Sequence, residues 1–295
     1  MYRVEFLTDA AQFLERASAV LQRDPVVSTV IATMAEREAR AEGSSAPDDR
    51  PYWWAVVRDE AAEVVSCAMR TAPFDPHPLL LMPMPEPAAR ALARALAERG
   101  ECVQAANGFR PATDIFADEI ATLTGRTSEV TVHMRLFELG TLVPPAPVPG
   151  RLRVATPEDL DLCVAWFDAF ADAADEQAGR PAGTLREGRH ERDGMLRRID
   201  ERRVCFWVDE QDRPVHLTGF NLPAFGVARI GPVYTPPEHR GGGLASNAVA
   251  EVSRSLQADG AVPCLYTDQA NPVSNRIYQA LGYVAVADQV NIALR

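Results

Sequence analysis

The sequence predicts a mixed α/β fold made of two tandem domains, each with a twisted mixed sheet flanked by helices. Three observations support this prediction. Strand-like and helix-like segments alternate along the chain, the same order of segments occurs in both halves, and a proline-rich stretch separates the halves. The expected boundaries are residues 1–143 for the first domain, 144–150 for a linker and 151–295 for the second domain.

The linker lies in the segment VPPAPVPGR, Val143 to Arg151, which contains four prolines and one glycine. Proline fixes its own φ angle and lacks a backbone N–H. This composition therefore excludes a helix or a central strand and favours a stiff, extended connection.

The second half is predicted to have the order βααβββαβαβ. Thr156 is expected to cap the first helix, with Pro157 in its first turn. The arginine-rich residues 185–203 predict a second, exposed helix, which could instead hold phosphates or an acidic group. The other expected strands and helices are, in chain order, residues 151–156, 203–210, 214–222, 227–235, 244–260 (helix), 261–268, 271–282 (helix) and 290–295.

The first half shows the same order of elements. Residue identity between the halves is low, so the pattern alone supports a duplication. The expected elements are strands at 2–7, 52–57, 63–71, 79–84, 102–107 and 130–139, and helical segments at 9–42, 86–100 and 111–125.

Composition limits the classes of partner. The formal net charge is −11 and all 30 basic residues are arginines, so nothing suggests the basic face of a nucleic-acid binder. The five scattered cysteines read as small buried hydrophobic residues. No signal peptide and no apolar stretch long enough for a bilayer is evident, so we expect a cytoplasmic protein without a membrane partner. The sequence leaves the oligomeric state open.

The segment VYTPPEHRGGGLAS, residues 233–246, joins a strand to a helix through three glycines. Such a turn exposes backbone N–H groups at the positive end of a helix dipole, which favours an anion. We call residues Arg240 to Ser246 the glycine loop and the N–H groups of Gly241 to Ser246 the anion site.

Three phosphate-binding motifs are known for such turns. A Walker loop requires lysine, which this chain lacks. A dinucleotide fingerprint requires a third glycine, where Ser246 stands. The pattern R/Q-x-x-G-x-G/A is satisfied in full by Arg240 to Ala245.

With this pattern, the chain resembles the GNAT superfamily of N-acetyltransferases. The glycine loop is similar to that family's pyrophosphate loop for acetyl-coenzyme A, and NPVSNRIYQALGYV, residues 271–284, is similar to its second hallmark segment. The resemblance covers about residues 151–295 and, more faintly, the first half. It implies acetyl-coenzyme A as co-substrate and no metal.

The resemblance also implies roles for single residues. The backbone N–H of Val233 would stabilise the oxyanion, and Tyr278 would protonate the leaving thiolate. Gly231 and Pro232 predict a break in the strand just before Val233. The residues expected to bind the cofactor are Val233, Thr235, Arg240, Gly241, Gly242, Gly243, Leu244, Ala245, Ser246, Asn271 and Ser274. Tyr278 could instead only pack its ring, and Asn271 and Ser274 could be plain helix caps.

The general base stays open. Arg229 occupies the position where some relatives have a catalytic glutamate, so that solution is absent here. The candidates are Asp172, Glu176, His216, Glu238, His239 and Asp268.

The first half departs from the pattern at its corresponding helix start. Ala88, Ala89 and Arg90 stand where the glycines are required. We therefore expect a degenerate copy without a cofactor loop, which covers one side of the active cleft and supplies residues to the acceptor site. An independent ligand near Met84–Arg90 is the competing hypothesis.

The sequence thus predicts an acetyl-coenzyme A-dependent N-acetyltransferase that moves an acetyl or acyl group to a primary amine by direct attack. The acceptor would be a small molecule or a protein amine. Three alternatives stay open: a biosynthetic transferase of the mycothiol-synthase kind, a non-catalytic acetyl-coenzyme A sensor, and a scaffold that uses the fold for dimerisation.

Overall fold

The computed structural model describes residues 2–41, 52–72, 74–177, 179, 181 and 192–295. The strands are β1 Arg3–Leu7, β2 Trp53–Arg58, β3 Val64–Arg70, β4 Leu79–Leu81, β5 Ala105–Phe109, β6 Ser128–Leu139, β7 Arg151–Val154, β8 Val204–Val208, β9 Pro214–Phe220, β10 Val227–Tyr234, β11 Val262–Asp268 and β12 Tyr283–Leu294. The helices are α1 Ala10–Leu21, α2 Thr29–Arg40, α3 Glu86–Glu98, α4 Ala112–Thr124, α5 Leu160–Gln177, α6 Arg192–Asp200, α7 Leu244–Ala258 and α8 Pro272–Ala280.

The predicted mixed α/β fold and its order of elements are confirmed. Three strands differ from the expectation by more than two residues: β4 ends three residues before the expected 84, β5 starts three residues after the expected 102, and β12 starts seven residues before the expected 290. The arginine-rich segment contains α6, whereas its residues 185–191 lie outside the described residues. No helix in the described part of the chain is long and apolar enough to cross a membrane.

The chain forms two compact units, which divide it differently from the expected linker boundary. One unit contains residues 1–135 and 287–295, and the other contains residues 136–286. The last strand, β12, therefore ends in the first unit, where its residues 289–293 pair antiparallel with β5. Hydrogen bonds between neighbouring strands assign a segment to a sheet regardless of its distance along the chain.

The first unit has the strand order β1-β2-β3-β4-β5-β12-β6. One core of this unit lies between the sheet and α3 with α4, where Leu92 and Phe116 are fully buried. The stacked rings of Phe13 and Trp54, 6.1 Å apart, form a contact between α1 and β2.

The second unit has the strand order β12-β6-β11-β10-β9-β8-β7. Successive residues of a strand face opposite sides of the sheet. In β8, Phe206 packs with the core formed by α5 and α6, whereas Cys205 packs with the core of α7 and α8. The sheet thus has two distinct apolar faces, named here the α5 face and the α7 face.

Residues 144–150 contain neither helix nor strand, as their prolines predict. They lie on the second unit. The indole N–H of Trp207 donates a hydrogen bond to the carbonyl of Pro149 at 2.9 Å. Gly150 has φ +100°, and a Cβ there would lie 2.2 Å from the carbonyl oxygen of Val208, so only glycine fits this close approach.

Candidate active site

Strand β10 carries a bulge at the predicted position. Ile230 pairs with Phe220 of β9, but Val233 pairs with Thr218, so β10 has one residue more than β9 between these two pairs. Gly231 and Pro232 occupy the interval. The predicted break before Val233 is confirmed.

The bulge turns the backbone N–H of Val233 away from β9. Residues along an antiparallel strand direct their N–H and C=O groups alternately to one neighbour and the other. Phe220 of β9 donates to Arg203 on the β8 side at 3.0 Å, so Thr218, two residues away, also has its groups on that side. Val233 lies opposite Thr218, and a residue opposite one that faces β8 turns its own groups away from β9. Its N–H therefore faces the β11 side.

Strands β10 and β11 separate at this point. Their parallel pairs end at Ile230 and Leu265, whereas β10 continues to Tyr234 and β11 to Asp268. The N–H of Val233 thus faces an opening between two strands that have stopped pairing. A hydrogen-bond donor fixed by the sheet and pointing into such an opening can stabilise a developing oxyanion.

The glycine loop has the geometry that an anion site requires. Gly241 and Gly243 have φ +83° and +77°, values that L side chains rarely adopt. A Cβ at Gly241 or Gly242 would have no other atom within 4 Å, so the approach to the backbone is open. α7 begins at Leu244 without a side-chain cap, and the N–H groups of its first turn have no intrahelical acceptor.

Arg240 holds the loop to the end of β10. Its Nε donates to the carbonyl oxygen of Thr235 at 3.1 Å, and its Nη1 lies 3.5 Å from a carboxylate oxygen of Glu176. The guanidinium therefore also lends positive charge beside the anion site. Its contact with a cofactor stays a prediction.

Asn247 is a residue that sequence reasoning missed. It is buried, and its Nδ2 donates to the carbonyl oxygens of Gly243 at 3.1 Å and of Ala146 at 3.0 Å. A methyl group of Val148 would lie 3.3 Å from a Cβ at Gly243. The linker thus supports the last glycine of the loop through Asn247. A lone amide side chain in an otherwise apolar helix face was the available signal.

We expect Asn247→Ala to weaken the binding of acetyl-coenzyme A several-fold. The change removes two hydrogen bonds, which together contribute about 1 to 3 kcal/mol to stability, and frees the last glycine of the loop. Calorimetric titration measures the affinity. Ser253→Ala is the matched control, because it also removes buried hydrogen bonds of α7 but lies away from the loop. Equal affinities for both variants would contradict the role of Asn247.

His216 lies in β9 and is fully buried. Its Nδ1 hydrogen-bonds the hydroxyl of Thr235 and its Nε2 that of Thr218, both at 2.7 Å. Burial lowers the pKa of His216 to about 3, so the ring is neutral. Because both ring nitrogens are engaged, His216 acts as a support for β9 and β10 rather than as an exposed base. The hydroxyl of Thr235 is engaged by the same contact.

The depressed pKa of His216 predicts a specific loss of stability in acid. A folded-state pKa below the ordinary value of about 6.5 stabilises the fold above that pH and is lost as the pH falls toward 3. Between pH 6 and 4.5, wild type should lose about 1 kcal/mol per pH unit more than His216→Gln, whose amide does not titrate. Urea unfolding at several pH values measures this. Parallel curves would contradict the neutral, buried ring.

The start of α8 is held by two asparagines. Asn271 caps the helix, because its Oδ1 accepts from the N–H groups of Val273 and Ser274 at 3.1 Å. Asn275, which sequence reasoning did not single out, donates to the carbonyl oxygen of Asp268 at 2.8 Å and accepts from the hydroxyl of Thr267 at 2.7 Å. It ties α8 to the end of β11. Contacts of Asn271 and Ser274 with pantetheine stay predictions.

Tyr278 lies one turn after Ser274 and is buried with Tyr283, their ring centroids 6.0 Å apart. Burial raises the pKa of Tyr278, so the phenol keeps its proton through neutral pH. No described residue forms a hydrogen bond with its hydroxyl, whereas the hydroxyl of Tyr283 bonds Ser253 at 2.8 Å. The Tyr278 proton is thus available to another acceptor.

The other candidates for a general base fall into two groups. Asp268 accepts a hydrogen bond from the N–H of Ala270 at 2.7 Å and helps to form the turn after β11. The rest lie at or near the surface: Asp172, Glu176, Glu238 and His239. The described geometry does not identify one of them as the general base.

The corresponding helix start of the first unit is different. α3 begins after Pro85 with Glu86 in its first turn and Pro87 next to it. A proline supplies no N–H and the carboxylate of Glu86 disfavours an anion. β4 pairs with β5 along its full length, from Leu79 to Leu81. Among the residues described here, no group of His, Cys, Asp and Glu could hold a metal.

Comparison with known proteins places these features in a family context. The FR47-like protein family model matches residues 221–292, which include the bulge, the glycine loop and α8. A search of curated protein sequences finds no match. 

Solved structures match nearly the whole chain. A GCN5-related N-acetyltransferase from Sphaerobacter thermophilus has a TM-score of 0.60 at 14% identity, covering 99% of this chain and 94% of its own. A GNAT-family acetyltransferase from Colwellia psychrerythraea has 0.56 at 10%, with 99% of both chains covered. A tandem GNAT protein from the clavulanic acid biosynthesis pathway has 0.52 at 16%, covering 99% and 98%.

Identities this low show the fold alone. The fold is that of the GNAT acetyltransferases, including a tandem member, and the resemblance read from the two motifs is confirmed.

Proposed function

We propose that this chain is an acetyl-coenzyme A-dependent N-acetyltransferase whose active site lies in the second unit. The observation that carries the proposal is the strand opening that begins after Ile230. One strand at this opening presents the N–H of Val233 and continues into an uncapped helix start with three glycines. A turn without a ligand needs neither feature.

The residues present fit the cofactor. The three glycines of the anion site offer N–H groups without Cβ atoms, which suits a pyrophosphate, and Arg240 adds positive charge. The bound thioester would supply the acetyl group. Its carbonyl oxygen becomes negative when the amine attacks, and the N–H of Val233 would then donate to that oxygen.

Tyr278 would complete the reaction as general acid. A protonated, partner-free phenol can give its proton to the leaving thiolate. The attacking amine must lose a proton, and this chain supplies no described side chain that is clearly placed to take it. We propose that solvent takes up that proton. The surface candidates that could accept it next are Asp172, Glu176, Glu238 and His239.

The test is a titration of acetyl-coenzyme A into the protein, followed by an assay of free thiol with a panel of small amines and peptides. One site per chain with amine-dependent thiol release supports the proposal. Two sites would show that the first unit binds its own cofactor. Absence of binding would overturn the proposal and leave the glycine loop without a ligand.

A sensor of acetyl-coenzyme A is the second candidate. It is favoured by the engagement of His216 and Asp268, because both of these buried candidates for the base already have hydrogen-bond partners. Tight binding without thiol release in the presence of any amine would support it. A scaffold would bind no cofactor, and a biosynthetic role of the mycothiol-synthase kind would appear as preference for one amine.

A further inference from the structure

Arg229 lies on β10, on the α5 face of the sheet. The N–H of Asn221 donates to the carbonyl oxygen of Arg229 at 2.9 Å, which makes these two residues neighbours across the strands. Their face follows from Gly219, two residues before Asn221, because a Cβ there would lie 3.2 Å from the ring of Phe167 in α5. The side chain of Arg229 therefore leaves the sheet on the side opposite α7.

Part of the Arg229 guanidinium is enclosed without a partner. Its Nη1 is buried and has no hydrogen-bond acceptor among the described residues. Desolvated cationic N–H groups are costly unless an acceptor, and preferably an anion, is provided. The fold thus retains a charge whose partner is not in the described part of this chain.

A second guanidinium lies next to Asn221. Arg198 of α6 donates through Nη2 to the Oδ1 of Asn221 at 3.4 Å, and its guanidinium carbon lies 5.5 Å from the ring centroid of Phe167. Two arginines therefore neighbour Asn221, Arg229 through the backbone and Arg198 through its side chain, in a chain of net charge −11. A planar carboxylate matches the fork of an arginine side chain.

The order along β10 assigns this site to the acceptor. Arg229 comes four residues before Val233, about 10 to 13 Å along the strand, whereas the glycine loop comes after Val233. A cofactor that extends from Val233 to the anion site runs away from Arg229. An anion held at Arg229 therefore belongs to the molecule that approaches Val233 from the other side.

We infer that the acceptor of this enzyme is a small amine that carries a carboxylate, and that Arg229 binds this carboxylate. This inference rests on the proposed acetyl transfer and adds the substrate class. Arg229 would also favour the neutral form of a nearby amine, because a cation disfavours a second positive charge beside it.

The experiment compares matched acceptors that differ only in the carboxylate. Amino acids and their amides, such as leucine with leucinamide and phenylalanine with phenylalaninamide, are assayed for kcat/KM with acetyl-coenzyme A. Wild type should prefer at least one acid over its amide by about 10- to 100-fold, the range of a charge-assisted pair. Arg229→Met should reduce that ratio to near one, and Arg229→Lys should give an intermediate value.

Arg254→Met is the matched control. Arg254 is an exposed arginine of α7 that pairs with Glu251, so its removal should leave the acid-to-amide ratio unchanged. Titration of acetyl-coenzyme A reports whether each variant has folded. Should Arg229→Met fail to fold, the wild-type ratio and the Arg229→Lys ratio still decide.

The outcomes separate the two proposals. Transfer to amines without an acid preference, or a preference that Arg229→Met retains, overturns the carboxylate site and leaves acetyl transfer intact. Failure of wild type to bind acetyl-coenzyme A overturns acetyl transfer and this inference with it.

Discussion

Gly243→Asp should abolish measurable binding of acetyl-coenzyme A, with a loss of affinity of at least about 100-fold. The substitution places a carboxylate at the N-terminus of α7, strains a residue at φ +77° and pushes against Val148. Loss of even one charge-assisted contact to a pyrophosphate contributes about 1.5 to 3 kcal/mol, and repulsion adds to it. Calorimetric titration measures the change.

Gly260→Asp is the control for this experiment. Gly260 has φ +81°, follows the other end of α7, and has open space around its Cβ position, whereas Gly243 has Val148 close by. It introduces the same residue with similar backbone strain, so it should reduce stability but leave the affinity close to wild type. If both variants bound acetyl-coenzyme A equally well, the glycine loop would not be the anion site.

Tyr278→Phe should lower kcat about 100-fold while the Kd for acetyl-coenzyme A stays near the wild-type value. The phenol is the proposed proton donor, and general acids contribute about this factor. The ring, which packs in the core of α7 and α8, is retained. Because the hydroxyl has no described hydrogen-bond partner, the fold should lose little stability. Single-turnover kinetics measures the chemical step.

Tyr283→Phe tests whether the effect belongs to Tyr278. The hydroxyl of Tyr283 bonds Ser253, so its removal should reduce the free energy of unfolding by about 1 kcal/mol and leave turnover unchanged. Full activity of Tyr278→Phe, or an equal loss in both variants, would remove Tyr278 from the mechanism.

The order of elements and the glycine loop could be read from the sequence, because both depend on local patterns. Apolar periodicity fixed the type of each element, and prolines located the linker. The loop could be recognised because Gly241 and Gly243 provide left-handed backbone angles. Such angles are local properties of the chain. Gly231 and Pro232 predicted a bulge for the same reason.

The supporting contacts could not be predicted in this way. Asn247 acts through the carbonyl oxygen of Ala146, about a hundred residues away. His216 acts through the hydroxyl of Thr218 in β9 and that of Thr235, the residue after β10. The end of β12 belongs to the first unit because it pairs with β5. Such contacts depend on packing between distant segments, which no local pattern encodes.

The sequence by itself determined that a strand leads through three glycines into a helix, and it predicted an anion site at the helix start. Only the tertiary structure decided which side of β10 the N–H of Val233 faces. That direction depends on the register with β9, where one extra residue in β10 reverses the side on which every later N–H lies. A register is a property of two strands, and neither strand determines it alone.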